Sequence, residues 1–277
     1  MDFPGFFLTG LAFSGWVFGI SVLTLPALPL SFGIASLILG TICWIAYLPH
    51  ARRTEYPILD LRIFRFPLFR VTVVAGTFFR LGTGAMPFLF PLMLQLAFGL
   101  SPFQSGLVTF STAIGSFVAK FVSEAIIEKL GFRISISLAT FIAVLGLVAM
   151  GVYSPQTPMP VMFTLLIITG FFQSVFWTAT NAFTFADIDD KDAGQATAIS
   201  QVVIQLSLAA GVAIGGGALE GARLMHGGGA TTLLDFHLAF YVTAAIAIVS
   251  TFIFARLPAT AGQHLTSHST ALEASAH

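Results

Sequence analysis

The charged side chain with the fewest ordinary explanations is Arg80. It lies near the middle of Leu68 to Phe98, LFRVTVVAGTFFRLGTGAMPFLFPLMLQLAF, a stretch otherwise apolar enough to cross a bilayer. An arginine at that depth costs about 3 kcal/mol on insertion scales, so it faces protein or water rather than lipid. Two roles fit. It is either a structural arginine that caps carbonyls of a broken helix or snorkels, or a fixed positive charge in a polar cavity. On a later apolar run Thr169, Gln173, Trp177 and Asn181 recur every four residues as a polar and aromatic stripe. Gln201 and Gln205 share a face of the run after it. Such faces either hydrogen-bond helices together or line a cavity. The chemistry on offer is binding by charge and hydrogen bonds, with Arg80, Gln173, Trp177, Asn181, Gln201 and Gln205 as candidate cavity lining.

Bond-breaking chemistry has no support. There is no nucleophile–base pair, metal cluster or cofactor motif, so neither an enzyme nor a metal or cofactor site is expected. Asp187-Ile188-Asp189-Asp190-Lys191-Asp192 resembles the start of a calcium loop. However, Lys191 occupies a ligand position and Ala193 the place of the required glycine. Gly227-Gly228-Gly229 is no phosphate cradle, because no Gly-Lys-Ser/Thr follows it. Lone Cys43 cannot make an internal disulfide.

The elements that must hold these residues are membrane spans. Of 277 residues 56% are hydrophobic and only 9% charged, the composition of an integral membrane protein. The twelve basic and twelve acidic residues cancel, so charge gives no reason to expect a nucleic-acid partner. The start lacks a basic signal-peptide region and reads as a first span.

The pattern predicts eight spans: Phe6 to Leu25, Leu30 to Leu48, Leu68 to Phe98, Phe103 to Ile127, Ile134 to Val152, Met159 to Phe185, Ala193 to Leu219 and Phe236 to Ala255. Gly82, Gly84, Pro87 and Pro91 predict an interruption of the third beside Arg80. The charged link before it places Ile58, Leu61 and Phe64 opposite Asp60, Arg62 and Arg65. It reads as a short surface helix or as a solvated loop. Ser101 and Pro102 are expected as cap and first position of the fourth span. Lys120 and Glu124 lie four apart near its end, as a structural pair or a gate. Asp190 or Asp192 is expected to cap the seventh span. Gly15 and Gly19, and later Gly211, Gly215, Gly216 and Gly217, read as packing surfaces. Residues 258–277 read as a disordered tail.

With eight spans, Arg52, Arg53, Arg62, Arg65, Arg70, Lys129, Arg133, Lys191 and Arg256 fall on the side of the termini. Only Arg223 falls opposite. This asymmetry places both termini in the cytoplasm of a multi-pass plasma-membrane protein.

Pro57-Ile58-Leu59-Asp60-Leu61-Arg62-Ile63-Phe64-Arg65 resembles a segment of major facilitator transporters with fourteen spans, the drug:proton antiporter type. The likeness continues through Phe79-Arg80-Leu81-Gly82, Ala85-Met86-Pro87-Phe88, Leu100-Ser101-Pro102, Gln104-Ser105-Gly106, Gln201, Gln205, Leu206 and Gly211-Val212-Ala213. Glu128-Lys129-Leu130-Gly131-Phe132-Arg133 is similar to the family's cytoplasmic gating turn, with Glu124 in place of its first glycine and Phe132 in place of one arginine.

The resemblance implies a helix pair over 1–50, a cytoplasmic surface link over 51–67 and a six-helix transporter half over 68–257. It further implies proton-coupled efflux of amphipathic or cationic compounds, a gating turn built from Lys120, Glu124, Glu128, Lys129, Gly131 and Arg133, and a partner in the form of an N-terminal six-helix half or a second chain. A transport-inactive truncated protein or scaffold is the alternative.

Overall fold

The computed structural model describes residues 2–24, 29–54 and 57–258, whose regular structure is all helix with no strand among them. The elements are α1 (Phe3–Thr24), α2 (Leu30–Arg53), a 3-10 turn (Leu61–Arg65), α3 (Pro67–Thr83), α4 (Met86–Leu96), α5 (Pro102–Met150), α6 (Met159–Thr184), α7 (Asp190–Met225) and α8 (Leu233–Ala255). Lipid offers no hydrogen-bond partners, so apolar runs of this length close their backbone bonds internally as helices. The predicted tail and most of the turn between the first two spans lie outside the described residues.

The helix α5 is 49 residues long, yet it is two spans. Gly131 interrupts it at φ 77° and ψ 159°, a conformation that only glycine adopts readily. Gly115 before the break packs on Ile167 and Phe171 of α6, and Gly146 after it packs on Thr169. On a straight helix those two glycines would stand about 46 Å apart, so the arms fold back into a hairpin. Counting both arms, and α3 with α4 as one span, gives eight crossings among the described residues. The fourth span begins as expected. Ser101 Oγ accepts from Gln104 N–H at 3.3 Å and Gln104 Oε1 from Ser101 N–H at 2.9 Å, with Pro102 next.

The third span is interrupted where its glycines and prolines predict, between α3 and α4. Gly84 and Ala85 keep right-handed helical angles, so the chain kinks without unwinding. Gly211 and Gly215 of α7 approach this kink closely. A Cβ at Gly211 would sit 2.7 Å from the Leu81 carbonyl and 2.9 Å from that of Arg80. On the other side Gly82 lies against Thr243 and Ala247 of α8. The kink is therefore clamped between two helices that small residues allow to come close. Gly15 and Gly19 play the same packing role between α1 and α2.

Two local expectations need correction. In the charged link the buried side chains are Pro57, Leu59 and Ile63, whereas Ile58 and Phe64 are only half-buried and Leu61 is exposed. The segment is a single 3-10 turn whose register is set by polar clamps: Tyr47 Oη donates to the Leu59 carbonyl at 2.9 Å and accepts its N–H at 2.8 Å. Gln195 holds Asp60 N–H and the Pro57 carbonyl at 3.1 and 3.0 Å. Secondly, α7 begins earlier than Ala193. Its N-cap is Asp189, which makes no side-chain cap bond, while Asp190 and Asp192 stand in its first turn. Asp192 instead accepts from Arg65 at 3.0 Å and ties α7 to the link.

Candidate functional site

Helix α3 carries Arg80 about 20 Å along its axis from Pro67, near the centre of the span it forms with α4. The side chain is 4% exposed, and its guanidinium turns back over Gly76, one turn earlier. A Cβ at Gly76 would come within 2.8 Å of Nη1 and 3.0 Å of Nη2, so the glycine makes the room the charge occupies. The Arg80 Cζ lies 5.7 Å from the ring centre of Trp177 on α6. Its Nε is buried with no hydrogen-bond partner. Among the described residues no carboxylate forms an ion pair with it. Among the described residues no kink carbonyl accepts a hydrogen bond from its guanidinium, and burial at mid-span excludes snorkelling.

Arg80 lines a small cleft where α3, α6 and α7 meet. The other polar lining residues are Thr72, Trp177, Thr180, Asn181, Thr184, Ser200 and Gln201. Its volume of about 30 Å³ is room for one or two waters. From Arg80 the cleft extends toward the end where α3 starts, α6 finishes and α7 begins, because its lining runs back to Thr72 and on to Thr184.

Hydrogen bonding inside the cleft is lopsided. Thr72, Thr180 and Thr184 donate their hydroxyl protons to their own helices, at 2.8, 2.7 and 2.6 Å. Ser200 Oγ, like Arg80 Nε, is buried without a partner. Asn181 and Gln201 are exposed on the open side. The arrangement presents a buried, unneutralised cation, an unused hydroxyl and two amides to whatever enters. Such an arrangement can bind by charge and hydrogen bonds.

Four of the six predicted lining residues, Arg80, Trp177, Asn181 and Gln201, are brought together here. The other two, with Thr169 of the stripe, are not. Thr169 is buried against Gly146, and Gln173 Nε2 reaches Met86 Sδ at 3.6 Å. Gln205 is exposed on α7 outside the cleft. Sequence reasoning missed Thr72, Thr180, Thr184 and Ser200. A signal was present, since Thr72, Gly76 and Arg80 recur every four residues, and Thr180 and Thr184 each follow a stripe residue by three.

The second predicted constellation sits around the α5 hairpin. Lys120, Glu124, Glu128 and Lys129 are exposed, and Gly131 supplies the turn. Arg133, two residues beyond it, is half-buried. No ion pair joins Lys120 to Glu124 among the described residues.

A family profile described as Major Facilitator Superfamily matches residues 72–273. Among curated proteins, "Putative multidrug resistance protein MdtD" of Pectobacterium carotovorum subsp. carotovorum (strain PC1) is 29% identical over 233 residues, covering 81% of this chain and 49% of that protein. The protein of the same name from Escherichia coli O6:H1 (strain CFT073) is 28% identical over 270 residues, 93% of this chain and 55% of its own. "Probable transport protein HsrA" of Haemophilus influenzae (strain ATCC 51907) is 26% identical over 214 residues, 77% of this chain and 46% of its own. The chain spans about half the length of the curated relatives it matches.

Proposed function

The chain belongs to the major facilitator superfamily, and from that premise we propose that it forms the C-terminal half of a transporter that exports a small amphipathic compound in exchange for protons. Residues 68–257 make the six-helix half, 1–50 an additional helix pair, and 51–67 the cytoplasmic link between them. The single observation that carries this reading is the cleft: a buried, unpaired arginine at mid-membrane beside exposed Asn181 and Gln201. A transport-inactive scaffold has no use for an unneutralised charge at that depth. Proton exchange enters the reading from the likeness to drug:proton antiporters. The basic residues at one end of the bundle support cytoplasmic termini, and the α5 hairpin around Gly131 is the gating turn.

The cleft is half a binding site. Asn181, Gln201 and Gln205 are exposed on spanning helices, a surface that lipid disfavours. A facing wall fits this need, whether an N-terminal half or a second chain, since major facilitator sites lie between two halves at the midplane.

Export by cells carrying the protein, against Arg80→Ala at matched membrane abundance, tests the proposal. The expected result is loss of about nine-tenths or more of the export, as removal of a buried charged contact implies. Export unchanged in Arg80→Ala would overturn the assignment of the cleft.

A further inference from the structure

Building on the transport reading, we propose that the group recognised at the cleft is a carboxylate: the substrate is an amphipathic monoanion whose charged end docks on Arg80. Three observations converge. The guanidinium is buried and no acidic side chain reaches it among the described residues. Its Nε and the hydroxyl of Ser200 are buried without partners, which leaves two unused donors on residues that line one cleft. Buried polar groups are nearly always satisfied, so this pair marks the place of a missing acceptor. Finally, the threonines around them have given their protons to backbone carbonyls. Of the groups facing the cleft, the guanidinium, Ser200 and the amide ends of Asn181 and Gln201 remain as donors, and none carries a negative charge.

A carboxylate suits this donor set. It has only acceptors, it carries the charge that Arg80 lacks, and its two oxygens match the guanidinium fork. A cationic amphipath meets the opposite: a fixed like charge in a desolvated place. Trp177 and Ile204 supply apolar wall for the body of the molecule.

Two probes of equal alkyl length separate the alternatives. Dodecanoate and dodecyltrimethylammonium are titrated onto the protein in phosphatidylcholine nanodiscs at about pH 8.5, where the carboxylic acid is ionised, with empty discs subtracted. The wild type is expected to bind dodecanoate about tenfold or more tighter than the ammonium. Arg80→Gln should abolish that preference, and Arg80→Lys, which keeps the charge, should retain most of it. Equal or tighter binding of the ammonium, or a preference that survives in Arg80→Gln, overturns the proposal. If both probes bind alike and both are lost in Trp177→Ala, the cleft remains a binding wall and only the charge class is wrong. If neither probe binds above empty discs, the cleft reading falls with it.

Discussion

At the scale of single residues the account rests on how Arg80 is accommodated. Two like charges about 5 Å apart repel by about 3 kcal/mol at an effective dielectric of 20, roughly two orders of magnitude in affinity. The arginine therefore shapes what can enter more strongly than any neutral neighbour does. Its position depends on Gly76, where the missing side chain leaves the space that the guanidinium fills. Gly76→Ala is expected to separate position from charge. The new methyl must displace Nη1 from a 2.8 Å contact. The helix itself gains up to about 1 kcal/mol from the better helix former. Thermal unfolding in detergent should show stability unchanged or raised while export falls several-fold; an unfolded variant, or full export, would count against the role given to Gly76.

At the scale of elements, the reading from sequence succeeded where local chemistry decides the outcome. The Ser101-Pro102 start of α5 and the kink after Arg80 follow from side chains that cap or block a helix regardless of neighbours. It was less complete where geometry accumulates. A four-residue spacing advances about 40° around a helix at each step, so Thr169 and Asn181 are about 120° apart. That drift turns Thr169 into the α5 contact and leaves Trp177 and Asn181 in the cleft. The same 40° takes Gln205 out of the cleft that Gln201 lines. In the charged link, tertiary clamps from Tyr47 and Gln195 fixed which side is buried, and no local pattern encodes partners so distant in the chain. The turn of α5 falls on one residue, which gives a sharp test. Gly131→Ala places a Cβ where φ is 77° and ψ 159°, a strain of about 1–3 kcal/mol. Denaturant unfolding should report a loss of that size, and a change below about 0.5 kcal/mol would mean that the hairpin turns elsewhere.

At the scale of the whole molecule, eight crossings stack into a body whose buried clusters run the length of α3 to α8, while the α1–α2 pair is attached through α7 and the link. Most outward positions are what lipid accepts, as with Phe103, Phe110, Phe117 and Phe121 along the first arm of α5. The cleft between α3, α6 and α7 instead turns polar groups outward, and the transport reading makes it a water-accessible wall that opens toward the end where α3 starts, the end proposed to be cytoplasmic. The most direct measurement is thiol labelling. In a Cys43→Ser background, which removes the one native thiol, cysteines at Asn181 and Gln201 and a control at Phe110 are exposed to a membrane-impermeant maleimide in inside-out vesicles. The account predicts rapid labelling of Asn181→Cys and Gln201→Cys, protection of both by dodecanoate, and no labelling of Phe110→Cys. Cleft positions as unreactive as Phe110→Cys would contradict it, because a face sealed from water cannot be the wall of a transport path.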